Sequence, residues 1–264
     1  MNRGQVGFNL TTGLGNNLFQ IIATICYAQR CGLDPVFCAA GSRFRDTTFY
    51  GELFRNPINF VSELAQLPVT YKEPKFSYSL IPNYEMGVEL QGYYQSYRYF
   101  ANDAEFAREL FAIAPSLESL INDVFISNFP VRESVAVHIR RGDYVGLQEY
   151  HPLQTLDGYY SRAFELFPGE RFIVFSDDIE WCREVFKGDR FVFMDRRIDI
   201  RVGKYIDLFL MAMCKANIIA NSTFSWWGAY LNPAGRVVAP ANWFGPGYAY
   251  NSTEDLFPPG WIVI

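Results

Sequence analysis

The sequence predicts an α/β protein whose C-terminal half is a doubly wound parallel sheet. The first observation behind this is a regular alternation of short apolar runs and helix-length segments. Strand candidates are Ser134–Ile139, Arg171–Ser176, Arg190–Met194, Asn217–Ala220 and Arg236–Ala239, and helix candidates Asp157–Phe167, Ile179–Phe186, Lys204–Cys214 and Phe224–Leu231 lie between them. Strands joined by single helices need crossover connections, and these make neighbouring strands parallel. The second observation is that the chain opens with the same unit, a strand, a glycine turn, an apolar helix and a strand. The third is composition: 50% of the 264 residues are hydrophobic and 17% aromatic, which supports a sizeable core and excludes a disordered chain.

In order, Gln5–Leu10 reads as a strand and Thr11-Thr-Gly-Leu-Gly-Asn-Asn17 as a glycine turn. Leu18–Arg30 then reads as a helix stopped at Cys31-Gly32, and Asp34–Ala40 as a second strand. The turn is close to the dinucleotide fingerprint G-x-G-x-x-G, but Leu18 replaces the third glycine, and Asp34 precedes its strand instead of ending it. Both departures speak against a nicotinamide or flavin site. What remains is either a plain strand-to-helix turn or a helix N-terminus whose amides, beside Asn16 and Asn17, could hold a phosphate or a sugar hydroxyl.

Residues 41–90 read as long loops with short helices. Glu89–Gly92 reads as a strand entering the aromatic cluster Tyr93–Phe100. Asn102-Asp103 caps a helix to about Phe111, and Pro115-Ser116 opens another to about Phe125. The polar stretch Ser127–Glu133 marks a boundary, giving domains at 1–130 and 131–264.

Charge and cysteine usage narrow the function. A net charge of −5 argues against a nucleic-acid partner, which calls for a basic field. Five cysteines without paired spacing and two histidines leave little for a zinc site. The first residues lead straight into a strand, and no apolar run approaches the roughly 20 residues that span a bilayer. The expectation is a cytoplasmic protein of a reducing compartment.

The organising stretch is His138-Ile-Arg-Arg-Gly-Asp143, at the end of an apolar strand. Two adjacent guanidiniums repel unless an anion sits by them, so the pair is either a salt-bridge corner or a phosphate clamp. Ligands of parallel sheets sit beyond the carboxyl ends of the strands. That rule gathers His138–Asp143, Ser176-Asp-Asp178, Met194-Asp195 and Asn221–Ser225 at one edge. Asn221-Ser-Thr-Phe-Ser225 sets small hydroxyl and amide groups at a helix start, a neutral phosphate cradle facing the arginines. A diphosphate site becomes the better reading.

Taken together, Gly13-Leu-Gly-Asn-Asn-Leu-Phe-Gln20, Gly92-Tyr-Tyr-Gln-Ser96, Val137–Val145, Phe175-Ser-Asp-Asp178 and Ile219–Leu231 resemble, in order, the motifs of bacterial α-1,2-fucosyltransferases, glycosyltransferase family 11. The resemblance spans residues 13–231. It implies a GT-B fold, two Rossmann-like domains facing across a cleft, with the N-terminal one on the acceptor side. It further implies GDP-β-L-fucose as donor and inverting transfer to the 2-hydroxyl of a terminal galactose, on an oligosaccharide or a lipid-linked glycan. A lipid-linked acceptor would bring the protein to the inner membrane face, and aromatics in residues 41–100 would permit a homo-oligomer. No cofactor or metal is implied, and the sequence has no Asp-x-Asp triplet, so Arg140 and Arg141 are the cations expected to meet the leaving diphosphate.

Carried onto this sequence, the resemblance gives Arg140, Arg141 and Asp143 as catalytic candidates. It gives Asn16, His138, Asp177, Asp178, Ser222, Thr223 and Phe224 as donor-binding candidates, with an acid of the Asp177/Asp178 pair on guanine. A structural salt bridge remains the alternative for Arg141 and Asp143. Two positions depart from the family pattern: Ala216, where relatives often carry histidine, and Asn17, where glutamine is commoner. A fucosyltransferase of another linkage, or a non-catalytic sugar-nucleotide or glycan-binding module, is the competing reading.

Overall fold

The computed structural model describes residues 4–41, 47–101, 104–194, 203–233 and 235–264. The expected cap Asn102-Asp103 and the strand-end residue Asp195 lie outside them. Two compact units are present, Met1–Ala114 with Asn251–Pro258, and Pro115–Tyr250 with Pro259–Ile264. The helix opened by Pro115 thus belongs with the second unit, although the sequence boundary of 127–133 grouped it with the first.

The first unit is built on strands β1 (Gln5–Asn9), β2 (Asp34–Cys38), β3 (Phe60–Val61), β4 (Thr70–Lys72) and β5 (Val88–Gln91), in spatial order β3-β2-β1-β5-β4. Every pairing is parallel. Two of these strands fall inside the stretch expected to be loops. With two and three residues, β3 and β4 are too short to show alternation, and backbone pairing alone defines them. Helix α1 (Leu14–Cys31) packs its apolar side on the sheet, burying Leu18, Phe19, Ile21 and Ile22 among others. It begins four residues earlier than expected. Gly13 is extended and its carbonyl already accepts from Asn17 N at 3.0 Å, so Asn16 and Asn17 belong to the first helical turn. Short helices α2 (Thr48–Leu53) and α3 (Ala104–Leu110) complete this unit.

The second unit opens with α4 (Pro115–Ile121) and then forms β6 (Val135–Ile139), β7 (Phe172–Ser176), β8 (Phe191–Phe193), β9 (Ala216–Ile218), β10 (Arg236–Ala239) and β11 (Ile262–Val263). Helices α5 (Ser161–Glu165), α6 (Ile179–Val185), α7 (Ile206–Met213) and α8 (Thr223–Tyr230) connect successive strands. The spatial order is β11-β10-β9-β6-β7-β8, again wholly parallel. The chain winds outward from β6 through β8, returns beside β6 as β9, and winds outward the other way. β6 and β7 are buried at every position, as strands covered on both faces must be. Their core contains Val135, Val137, Phe172 and Val174 with Tyr159, Tyr160 and Phe164. Asp157–Phe167, expected as one helix, is a π turn over Leu156–Tyr160 followed by α5, and β11 was not anticipated at all.

None of the five cysteines forms a disulfide, and Cys38, Cys182 and Cys214 are buried. Among the described residues no helix is long and apolar enough to cross a membrane.

Candidate active site

In the second sheet the winding direction reverses between β6 and β9, which pair directly. Such a reversal leaves a crevice beyond the carboxyl ends of the strands. The loops there carry Arg140–Asp143 after β6, Asp177-Asp178 after β7, and Asn221-Ser222 before α8.

The arginine pair is braced by carboxylates. Arg140 Nη2 lies 2.7 Å from Asp143 Oδ1, and its Nη1 lies 2.7 Å from Asp177 Oδ2. Arg141 donates through Nε to Asp178 Oδ2 at 3.1 Å and through its backbone N–H to Asp177 Oδ1 at 2.9 Å. Its guanidinium lies over the Trp181 ring, 3.8 Å from the centroid. The salt bridges expected as the alternative for Arg141 and Asp143 are present, though not between the two: Asp143 holds Arg140, and Arg141 takes Asp178. The side chains of Arg140 and Arg141 remain 32% and 20% exposed, so both stay within reach of a ligand. Partly exposed pairs of this kind contribute only about 0–1 kcal/mol to stability. Their effect here is on direction, since Arg141 is fixed by Nε and by stacking while its Nη1 and Nη2 make no ion pair among the described residues.

Asp178 does two jobs. Its Oδ1 accepts from Trp181 N at 3.3 Å, capping α6, while Oδ2 holds Arg141. The cap therefore orients the same Trp181 on which Arg141 rests. Its own amide donates to Ser176 Oγ at 2.9 Å.

Tyr144 joins the two walls of the reversal. Its hydroxyl donates to the Asn221 carbonyl at 3.1 Å, and Arg140 lies 5.3 Å from its ring centroid. Burial pushes the Tyr144 phenol up to about 12, against the opposing pull of Arg140. His151 stacks on Tyr144 with centroids 4.6 Å apart and planes 15° apart. Burial lowers the His151 pKa, Asp143 raises it and Arg140 lowers it further, so the ring is neutral at neutral pH.

His138 is buried on β6 with its ring 6.0 Å from that of Phe224, so two expected donor-binding residues are neighbours. Its carbonyl accepts from Tyr160 Oη at 2.9 Å. The cradle expected over Asn221–Ser225 is only partly available. Asn221 is buried and donates through Nδ2 to the carbonyls of Pro152 and Trp243, at 3.0 and 3.1 Å. Ser225 Oγ donates to the Ser222 carbonyl at 3.1 Å. Both side chains tie the loop together from within, because a loop this buried must satisfy its carbonyls. Ser222 stands extended at the N-cap position, and Thr223 opens the first turn of α8.

In the first sheet polar side chains gather beyond the carboxyl ends of the central strands β1 and β5, which pair directly. Gln20 of α1 donates through Nε2 to the Gly92 carbonyl at 2.9 Å, and Gln95 Nε2 returns a hydrogen bond to Asn16 Oδ1 at 3.0 Å. The stretches 13–20 and 92–96 thus hold each other reciprocally. Asn17 is buried and donates to Tyr50 Oη at 2.9 Å, a packing role, whereas Asn16 keeps partial exposure.

Sequence reasoning did not single out Trp181, Tyr144, His151 or Gln95 as site residues. Trp181 had a legible signal, standing three residues after an aspartate N-cap at a strand end. Tyr144 directly follows Arg-Arg-Gly-Asp. His151 had none, since the irregular chain between it and Tyr144 has no periodicity to show that the rings stack, and its second ring neighbour, Tyr248 at 5.6 Å, is remote in sequence.

Two wholly parallel α/β units, with polar groups collected beyond the strands' carboxyl ends, are the architecture of GT-B glycosyltransferases. The fucosyltransferase NodZ from Bradyrhizobium has the same fold, with a TM-score of 0.61 at 15% identity over 90% of this chain and 95% of that one. Its GDP co-crystal gives 0.63. The chain belongs to glycosyl transferase family 11, whose model matches residues 69–264. The O-antigen biosynthesis glycosyltransferase WbnK of Escherichia coli is 35% identical over 206 residues, 72% of this chain and 66% of that protein. The alpha-1,2-colitosyltransferase of Escherichia coli is 36% identical over 223 residues, 78% of this chain and 73% of that one. Galactoside alpha-(1,2)-fucosyltransferase 2 of Oryctolagus cuniculus is 31% identical over 141 residues, 49% of this chain and 39% of its own length.

Proposed function

We propose that this protein transfers L-fucose from GDP-β-L-fucose to the 2-hydroxyl of a terminal galactose, with inversion and without a metal ion. The observation that carries the reading is the braced arginine pair at the β6/β9 reversal, set within a chain whose relatives include enzymes named for α-1,2 transfer. The fold it shares with NodZ, co-crystallised with GDP, supports a guanosine nucleotide as the donor.

In a single in-line displacement, O2 of galactose attacks C1 of fucose as the bond from C1 to the β-phosphate oxygen breaks. The bonding pair leaves on the β-phosphate oxygen of GDP, and the acceptor's hydroxyl proton passes to water. Negative charge grows on the β-phosphate, where preorganised cations lower the barrier most. Arg140 supplies that charge, aimed by Asp143 on one side and Asp177 on the other. Arg141, anchored through Nε, offers its open Nη pair to a further oxygen. Ser222, Thr223 and the first amides of α8 add neutral donors. His138 and Phe224 lie toward the nucleoside, while Asp177 and Asp178 hold the arginines. Asn16 is read as a hydrogen-bonding contact to the sugars.

The colitosyl relative favours a second reading, in which the transferred sugar is colitose. Incubation with GDP-fucose or GDP-colitose and a panel of galactosides, each with and without EDTA, tests both. The expected result is GDP release, retained in EDTA, and an α-1,2-linked product by NMR. No transfer to any galactoside would sink the reading, and loss of activity in EDTA would sink the metal-free mechanism. Preference for GDP-colitose would select the second sugar.

A further inference from the structure

Glu73 follows β4 directly, at the same carboxyl edge of the first sheet as Asn16 and Gln95. Its Oε2 accepts from the backbone amides of Tyr93 and Tyr94, at 2.8 and 3.0 Å, and its Oε1 receives Tyr99 Oη at 3.4 Å. The loop it holds has an unusual backbone. Gly92 has φ +153 and Tyr94 φ +54, the one non-glycine residue with positive φ among those described. A side chain at Gly92 would meet Glu73 Cβ at 2.4 Å, so the glycine is what lets the carboxyl close on the loop. A buried tyrosine in the left-handed region persists only where its surroundings fix it. Here the surroundings are a carboxylate on its amide and, at the preceding Gly92, the Gln20 carboxamide on its carbonyl.

We propose that Glu73 is a positioning residue for sugar transfer: it locks the Gly92–Ser96 loop, and so sets the Gln95–Asn16 pair. This rests on the reading of Asn16 as a contact to the sugar substrates.

The lock is sensitive to pH. Burial pushes the Glu73 carboxyl up to about 7, with the Tyr94 and Tyr93 amides and the Tyr99 hydroxyl pulling it back. The phenols sharing its surroundings, Tyr94, Tyr99 and Tyr71, are all raised from about 10, chiefly by burial, and stay protonated across the neutral range. Ionisation strengthens the bonds to the loop, but burial disfavours the charge by more, so the closed loop holds the proton more tightly than an open, solvated one. The lock is therefore firmest at low pH and loosens as pH rises towards 7.

The test compares the wild type with Glu73→Gln and Gln95→Ala, by amide hydrogen exchange at Tyr93 and Tyr94 and by transfer kinetics, from pH 5.5 to 8.5. In the wild type, protection of both amides falls about tenfold as pH rises through the titration of Glu73, and acceptor KM rises in parallel. Glu73→Gln, which stays neutral, keeps the fold, shows no step in protection and holds an acceptor KM independent of pH over this range. Gln95→Ala raises acceptor KM about tenfold and keeps the protection step. Identical exchange profiles in wild type and Glu73→Gln overturn the lock. A lost step in Glu73→Gln with acceptor KM still following the wild-type pH profile overturns its role in transfer. If the wild type transfers no sugar, the transferase reading has failed and the exchange profiles still decide the lock.

Discussion

Asp177 fills the space beside Gly142: a β-carbon on that glycine would stand 2.4 Å from the Asp177 Oδ2. The same oxygen lies 2.7 Å from Arg140 Nη1. The glycine between the arginine pair and Asp143 is thus there for close approach, and it lets one carboxylate reach Arg140 and the Arg141 amide together.

Gly142→Ala is expected to displace Asp177 and swing Arg140 off its line while leaving the sheet intact. Misplacement of a charged group by about 1 Å costs about a hundredfold in rate. Steady-state kinetics should show a fall of that order in kcat/KM for GDP-fucose, with the melting temperature within about 2–4 °C of wild type. Wild-type kinetics in Gly142→Ala would show that Asp177 plays no part in aiming the arginine.

Arg141→Lys tests geometry against charge. An ammonium cannot keep the Nε bond to Asp178, lie flat on Trp181 and present a fork at once. The substitution is expected to lower kcat at least tenfold. Trp181→Leu keeps an apolar side chain against the core and Phe186 but removes the stacking under Arg141, about 0.5–1 kcal/mol, and should cost a few-fold. Equal losses in the two variants would mean that stacking alone fixes the guanidinium.

The doubly wound second sheet was legible because five of its strands carry continuous apolar runs, and because single helices leave parallel pairing as the geometric solution. Arg140, Asp177 and Ser222 were legible for the same reason, since carboxyl ends of parallel strands converge. The bracing was not. Which acid meets which arginine depends on the turn at Gly142, and a run of alternating charges leaves both pairings open. Asn221 was misjudged because its amide suits a ligand and a buried loop equally well. Only the positions of the Pro152 and Trp243 carbonyls decide between them. The first sheet was harder still, because β3 and β4 have two and three residues and Glu73 has no periodic pattern to mark it.

His151 offers a pH test in the second unit. Burial lowers its pKa below the ordinary value of about 6.5, with Asp143 opposing and Arg140 assisting. As pH falls below 6.5, the unfolded chain takes up this proton before the folded one does. The contribution to stability is therefore complete at neutral pH and declines as pH drops towards the folded pKa. Imidazole NMR should place the His151 transition below that of an unfolded reference peptide. Asp143→Asn should move it lower still, and an upward move would assign the shift to another cause.

The Trp-Trp-Gly of the Ile219–Leu231 motif is a packing element rather than part of the phosphate site. Trp226 and Trp227 are fully buried, and Trp226 stacks on Tyr230 with centroids 4.7 Å apart and planes 14° apart. Trp226 also meets Trp261 at 5.3 Å, one residue before β11, so it joins α8 to the returning C-terminal strand. Trp226→Ala leaves a cavity where the sheet edge is covered and should destabilise the unit by about 3–5 kcal/mol. Trp226→Phe keeps most of the ring area and should lose considerably less. Urea unfolding followed by far-UV circular dichroism measures both, alongside turnover per folded molecule at low temperature. A large stability loss with turnover preserved assigns the indole to the core. A turnover loss in Trp226→Phe at wild-type stability would instead place it among the groups that set the donor.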